Sequence, residues 1–245
     1  MKSYLIDFIK TSVKEHSLEN PNVECCGIIL DVDDCPMVIR CENKSLKPDK
    51  HFIIDTDQVR RAKSLGTIVS YYHSHIKGQG FSEVDKWTSE RMNVPAIVYH
   101  IEFNSFGEYQ PIGYEVPLLN RPFLMGVFDC LTLVIDYYQR ELNTTVTDMI
   151  KHELREKTDW RYFNESNDTM CLKNHFVANG FVEVKGEWRK NDVVLARQKH
   201  LNFPSHCLIY LGNGMVMHHP FGRPSRVEVA NKEMSEFVVC VMRKN

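Results

Sequence analysis

The sequence predicts an α+β protein of two domains, residues 1–116 and 117–245, and three observations predict it. At 245 residues, each half has enough chain to bury a core of its own. Each half also mixes helix-period stretches with short strand-like apolar runs. Between them, PLLNRPF at 117–123 carries two prolines and an asparagine where the first pattern ends, marking a domain joint.

In the first half, Leu5, Phe8, Ile9 and Val13 recur at helical spacing and predict an amphipathic helix over about residues 3–17. VECCGIIL, PMVIRCEN and HFIID are then expected as short strands, and GTIVSYYHSH as a buried strand running into polar residues. PAIVYHIEF continues the sheet and YQPIGYEV closes it. In the second half, CLTLVIDYYQREL places Leu131, Val134, Ile135, Tyr138 and Leu142 at helical spacing, with further helices over 145–157 and 170–179. FVEV, DVVLARQ, HCLIYLGNGMVMHH and FVVCVMR alternate as strands do, and Gly212, Asn213 and Gly214 supply the positive φ angles of a tight hairpin.

Composition narrows the function. Hydrophobic residues at 43% and charged residues at 25% match folded soluble proteins, not disordered or membrane chains. A net charge of -2 with both signs interspersed offers nothing to nucleic acid or an anionic membrane, so neither partner is expected. The N-terminal MKSYLIDFIKTSVKEHSLEN lacks the apolar run of a signal peptide or membrane span, so synthesis in a cytoplasm is expected. Cys25, Cys26, Cys35, Cys41, Cys130, Cys171, Cys207 and Cys240 form no C-x-x-C pair and are expected as free thiols.

Two groups of residues carry chemistry. His73 and His75 stand two apart at the end of a strand, so both imidazoles project from one face toward one ion. Asp85, ten residues on, would complete three ligands and leave a fourth position for water, the arrangement of a catalytic zinc. Glu24 is then free to take that water's proton. VECCGIIL, HSH and SEVD together resemble the JAMM (Mov34/MPN) metallopeptidases. That resemblance implies zinc on His73, His75 and Asp85, water activation by Glu24, and oxyanion support from Ser82. Ile76 stands where those proteins usually carry proline, and six residues separate His75 from Ser82 instead of seven.

In the second group, Cys130 opens a predicted helix, where unsatisfied N–H groups and the macrodipole favour a thiolate. His206 opens one strand of the predicted hairpin and His218 closes the other, so the turn brings them together. His206 is expected to act as base toward the thiol and then as acid toward the leaving amine, with His218 fixing its tautomer. GVFDCLTLVIDYY, NDVVLARQ and HCLIYLGNGMVMHH together resemble the NlpC/P60 peptidases. The resemblance implies a papain-like fold, a Cys-His-His set of Cys130, His206 and His218 without a cofactor, and cleavage of bacterial peptidoglycan peptides. Cys207 and Leu208 stand in place of the usual apolar residue and glycine, and Asn191 where a glycine often precedes the aspartate.

RPFLMGVFDC is similar to the phage tail assembly protein K family, in which the same two domains follow in the same order. That implies a virion tail-tip location, tail-tip proteins as partners, and a role in tail assembly and genome entry. The alternative is a structural tail-assembly or adaptor protein that keeps both folds with degenerate sites. Tyr71, Tyr72, Tyr137 and Tyr138 are expected in cores, Asp192 as a turn anchor, residues 151–169 as a solvated insertion, and His219 without a role.

Overall fold

Cys26–Val32 (β1) is apolar on both faces, as a central strand must be. The computed structural model describes residues 3–45, 47–54, 56–125, 127–147, 170–199 and 201–245, divided into two units, Met1–Glu115 and Val116–Asn245.

The first unit joins β1 to Cys35–Cys41 (β2) through Asp33 and Asp34 at φ 51° and 63°, a two-residue turn whose twist suits a hairpin. The sheet runs β2-β1-β3-β4-β5, where β3 is Thr67–His75, β4 Ala96–His100 and β5 Ser105–Tyr109. Only β3 and β4 are parallel, so a crossover is required, and helix Glu83–Met92 (α3) supplies it. Helix Ser3–Glu19 (α1) packs Ile9 and Val13 against Ile29, Tyr72 and Tyr99. Phe8, counted in that helix's apolar pattern, is half exposed. On the other face, Thr56–Leu65 (α2) sets Ala62 against Cys26, Ile28, Leu30 and Cys41. Gly27 has no room for a side chain: a Cβ there would lie 2.3 Å from the Tyr72 ring and 2.4 Å from the Ile39 carbonyl oxygen.

Two expected strands differ here. Residues 51–54 of HFIID form no ladder; the Ile53 N–H donates to the Asn43 side chain and the Ile53 carbonyl accepts from Lys44 N, while Phe52 and Ile54 still pack on the core. The closing strand is Ser105–Tyr109 rather than YQPIGYEV. Pro111 has no N–H to give, and the N–H groups of Ile112 and Gly113 go to the Glu90 carboxylate instead.

The second unit is an antiparallel sheet in the order β10-β9-β8-β7-β11-β6, with Phe181–Val184 (β6), Val193–Ala196 (β7), His206–Gly212 (β8), Met215–His218 (β9), Arg226–Val229 (β10) and Val238–Lys244 (β11). Gly212, Asn213 and Gly214 turn the β8–β9 hairpin at φ 91°, 52° and 73°. Helices Cys130–Glu141 (α4) and Cys171–Ala178 (α5) bury Leu131, Val134, Tyr138, Leu172 and Phe176 against one sheet face. Short helix Lys232–Glu236 (α6) brings Met234 to the smaller core on the other.

PLLNRPF is no free tether. Arg121 is buried, bonded to Asp136 at 2.6 Å and to the Val116 carbonyl at 3.0 Å, and its N–H reaches Ser225 Oγ at 2.9 Å. The four tyrosines lie in cores, and Asp192 is an anchor, gripped by both Nε and Nη2 of Arg243 at 2.7 Å. Residues 145–147 are irregular; the rest of the helix expected over 145–157, and the insertion at 151–169, lie outside the described residues. All eight cysteines are free. Among the described residues, no helix is long and apolar enough to cross a membrane.

Candidate functional sites

In the first unit, the parallel pairing of β3 and β4 determines where α3 begins. The crossover starts just after His75, so the first turn of α3 returns beside the strand end. His73 and His75 project from one face of β3. Their Nε2 atoms lie 3.0 Å apart, and Asp85 brings Oδ1 to 3.3 Å from the first and Oδ2 to 3.3 Å from the second. Phe52 stacks on the His73 ring at 4.6 Å. Burial alone would raise the Asp85 carboxyl, but the charge and hydrogen bonds of His73 and His75 hold it far below the usual range. For His75, the Asp85 hydrogen bond and charge outweigh burial and raise its pKa.

His73 Nε2, His75 Nε2 and an oxygen of Asp85 lie within 4.8 Å of one another, with 3.0 Å between the nitrogens and 3.3 Å from each nitrogen to its own Asp85 oxygen. A tetrahedral ion with bonds of about 2.0–2.1 Å has edges of about 3.3 Å, so the residues fit a metal of zinc's size and taste for imidazole and carboxylate. Glu24 is buried just before β1 and interacts electrostatically with His75 and Asp85; burial first, then the neighbouring Asp85 and Asp49, push its carboxyl up to about 7 against the pull of His75. Ser82 is the N-cap of α3: its Oγ accepts from Asp85 N at 3.2 Å, while Asp85 Oδ2 accepts from Ser82 N at 2.7 Å. The sequence reading missed His100, in register with His75 on β4 and 5.6 Å from it ring to ring. YHIEF held the signal, a histidine ending the neighbouring strand.

In the second unit, Cys130 is the first residue of α4. Asp129 caps the helix, accepting from Thr132 N at 2.9 Å, and Thr132 Oγ1 accepts from Asp129 N at 2.8 Å. His206 Nε2 lies 3.1 Å from His218 Nδ1, and His218 is buried. Cys130 bonds to His206, and its thiol is held well below the usual range. The largest cause is a hydrogen bond from the Cys207 thiol. Burial opposes it, and the hydrogen bond and charge of His206 and the Cys207 N–H add to it. His218 is pushed down to about 4, by burial first and then by the charge of His206, with Glu228 opposing. His219 is buried against Phe123, rings 5.2 Å apart.

Residues 120–243 match the NlpC/P60 family. The chain belongs to the NlpC/P60 family. Its fold is α+β with the NlpC/P60 domain in the C-terminal part, and membership fits a hydrolase of the cysteine-peptidase type. "Tail tip assembly protein K" of Escherichia phage N15 is 27% identical over 216 residues, 88% of this chain and 85% of that protein. The chain is thus of the phage tail assembly protein K family, as its motifs led us to expect. A crystal structure of an NlpC/P60 family protein from Bacillus cereus is similar at 13% identity with a TM-score of 0.34, across 95% of this chain and 66% of that one.

Proposed function

We propose that the chain is a phage tail-tip peptidase whose second domain, residues 117–245, cleaves bacterial cell-wall peptides through Cys130, His206 and His218. The observation that carries this reading is the hydrogen-bonded series from the Cys130 sulfur through His206 to His218, within a region that matches a cysteine-peptidase family. With Nε2 of His206 engaged by His218, its other ring nitrogen serves the sulfur. The thiolate attacks the peptide carbonyl carbon, and backbone N–H groups at the α4 tip receive the developing oxyanion. His206 protonates the leaving amine, giving a thioester, and then takes a proton from the water that hydrolyses it. Opening wall crosslinks would let the tail pass DNA, and other tail-tip proteins would hold the enzyme on the virion.

The first domain, residues 1–116, we read as a zinc-dependent JAMM-type peptidase. His73, His75 and Asp85 would hold the ion, which when bound acts as a Lewis acid and lowers the pKa of a water. Glu24 would take that water's proton, and Ser82 would donate to an oxyanion. A structural reading of this domain alone has its own support: the Ser82–Asp85 cap accounts for S-x-x-D without a metal, and His73 Nδ1 has no partner among the described residues.

Release of new amino termini from purified peptidoglycan tests the second domain. Wild type should release them and Cys130→Ser should not; equal or absent release leaves the adaptor reading. Elemental analysis tests the first, with one zinc per chain expected and lost on His73→Ala.

A further inference from the structure

The Cys-His-His series does not end at His218. Strand β10 pairs with β9 so that Arg226 faces His218 and Glu228 faces Val216, which puts Glu228 one diagonal step from His218 on the same sheet face. Glu228 Oε2 lies 3.1 Å from His218 Nε2. Its other oxygen accepts from Arg226 Nε, so the two neighbours do not compete for one atom. The His218 side chain is 8% exposed and that of Glu228 36%, so the carboxylate reaches in from the rim.

We propose that Glu228 is a positioning residue for the cysteine site, setting the tautomer of His218 and through it that of His206. The inference rests on the reading of Cys130, His206 and His218 as a peptidase site. A carboxylate can only accept, so His218 must carry its proton on Nε2. Its Nδ1 is then a lone pair, and the only proton that can fill the 3.1 Å gap to His206 belongs to His206 Nε2. That leaves the far nitrogen of His206 unprotonated and turned to the Cys130 thiol, the form a general base needs. The same carboxylate favours positive charge on the two rings once the thiol proton has moved.

Without Glu228, a lone His218 can carry its proton on Nδ1 and meet His206 in the reverse sense, protonating the nitrogen that should be the base. The charged and titratable groups around the series are Arg226 and Glu228 beside His218, and Cys207, Asp129 and His219 near Cys130.

The test uses the full chain and two variants, Glu228→Gln, which keeps the shape but can offer either an acceptor or a donor, and Glu228→Ala. Peptidoglycan cleavage should fall about tenfold in kcat, the lower end of what losing a histidine's orienting partner costs, because water competes at this exposed carboxylate. Alkylation of Cys130 by iodoacetamide, read by mass spectrometry on its own peptide, should move to higher pH. In a His218→Ala background, Glu228→Ala should cost no more than about twofold, since its intermediary is gone.

Wild-type kcat and an unmoved alkylation profile in both variants would overturn the inference, as would a full further loss in the His218→Ala background. If Cys130 already alkylates as an ordinary thiol in the wild type, the peptidase reading fails and takes this one with it. If Cys130 is acidic in the wild type and equally acidic in both Glu228 variants, only the role of Glu228 is lost.

Discussion

Replacing Cys207 should weaken the Cys130 nucleophile although Cys207 touches no substrate in the proposed mechanism. Its thiol is the largest single cause of the lowered Cys130 pKa, and its side chain is fully buried on the face that α4 covers. Hydrogen bonds to a charged partner contribute about 1.5–3 kcal/mol, and a thiol, as a weak donor, belongs at the low end. About 1.4 kcal/mol is a factor of ten, so Cys207→Ala should alkylate at Cys130 roughly tenfold more slowly below the ordinary thiol range. Cys207→Ser keeps a donor and should stay near wild type. The small cavity left by alanine costs about 1 kcal/mol of stability, which a thermal melt reads separately. The sign for stability follows from the lowered pKa. The thiolate's contribution is complete above the unfolded thiol value and fades as pH falls through the folded one. Identical alkylation profiles for Cys207→Ala and wild type, or a Ser variant as slow as Ala, would refute the reasoning.

Gly27→Ala must push the Tyr72 ring or the Ile39 carbonyl aside and should cost about 1–3 kcal/mol in chemical denaturation, the range for overpacked sites. Asp192→Ala removes both acceptors of Arg243 and the acceptor of Arg189 N, and should lower the midpoint of chemical denaturation more than Asp192→Asn, which keeps one acceptor. His218 folds with its pKa lowered to about 4, so its contribution is complete above the unfolded value near 6.5 and is lost as pH falls toward 4. Melting temperature should decline across that window, and less steeply in His218→Gln.

Local signals were legible. The period of Leu131, Val134 and Tyr138 marks α4, the Gly-Asn-Gly turn marks the β8–β9 hairpin, and the i, i+2 histidines share a face as strand geometry requires. What depends on register between distant strands was not. Alternation says that Glu228 and His218 each face one side of a sheet, but nothing in RVEV says that β10 lies against β9 at that offset. Cys207 follows His206 and therefore points the other way, toward the face that α4 covers; its meeting with Cys130 comes from helix packing. HFIID reads as a strand because its apolar residues do enter the core, yet Asn43 takes the hydrogen bond a neighbouring strand would have supplied.

Both units set a polar side chain, Asp85 in one and Cys130 in the other, in the first turn of a side-chain-capped helix beside histidines at strand ends, yet the histidines are wired differently. In the first, Nε2 meets Nε2, and each also meets a different oxygen of Asp85, so two nitrogens and a carboxylate crowd together in a closed ring. Convergence of lone pairs is unfavourable unless a cation or shared protons stand between them, and such a ring has no direction along which a proton can be passed. In the second, Nε2 meets Nδ1 and the far Nε2 meets a carboxylate, an open series with an acceptor at one end and a thiol at the other. That series has a direction, because a carboxylate that can only accept fixes the proton on His218 Nε2 and so leaves the His206–His218 link to the His206 Nε2 proton. Two apart on one strand, His73 and His75 share a face and meet through the same atom, Nε2, while across the hairpin His206 and His218 meet through different ones.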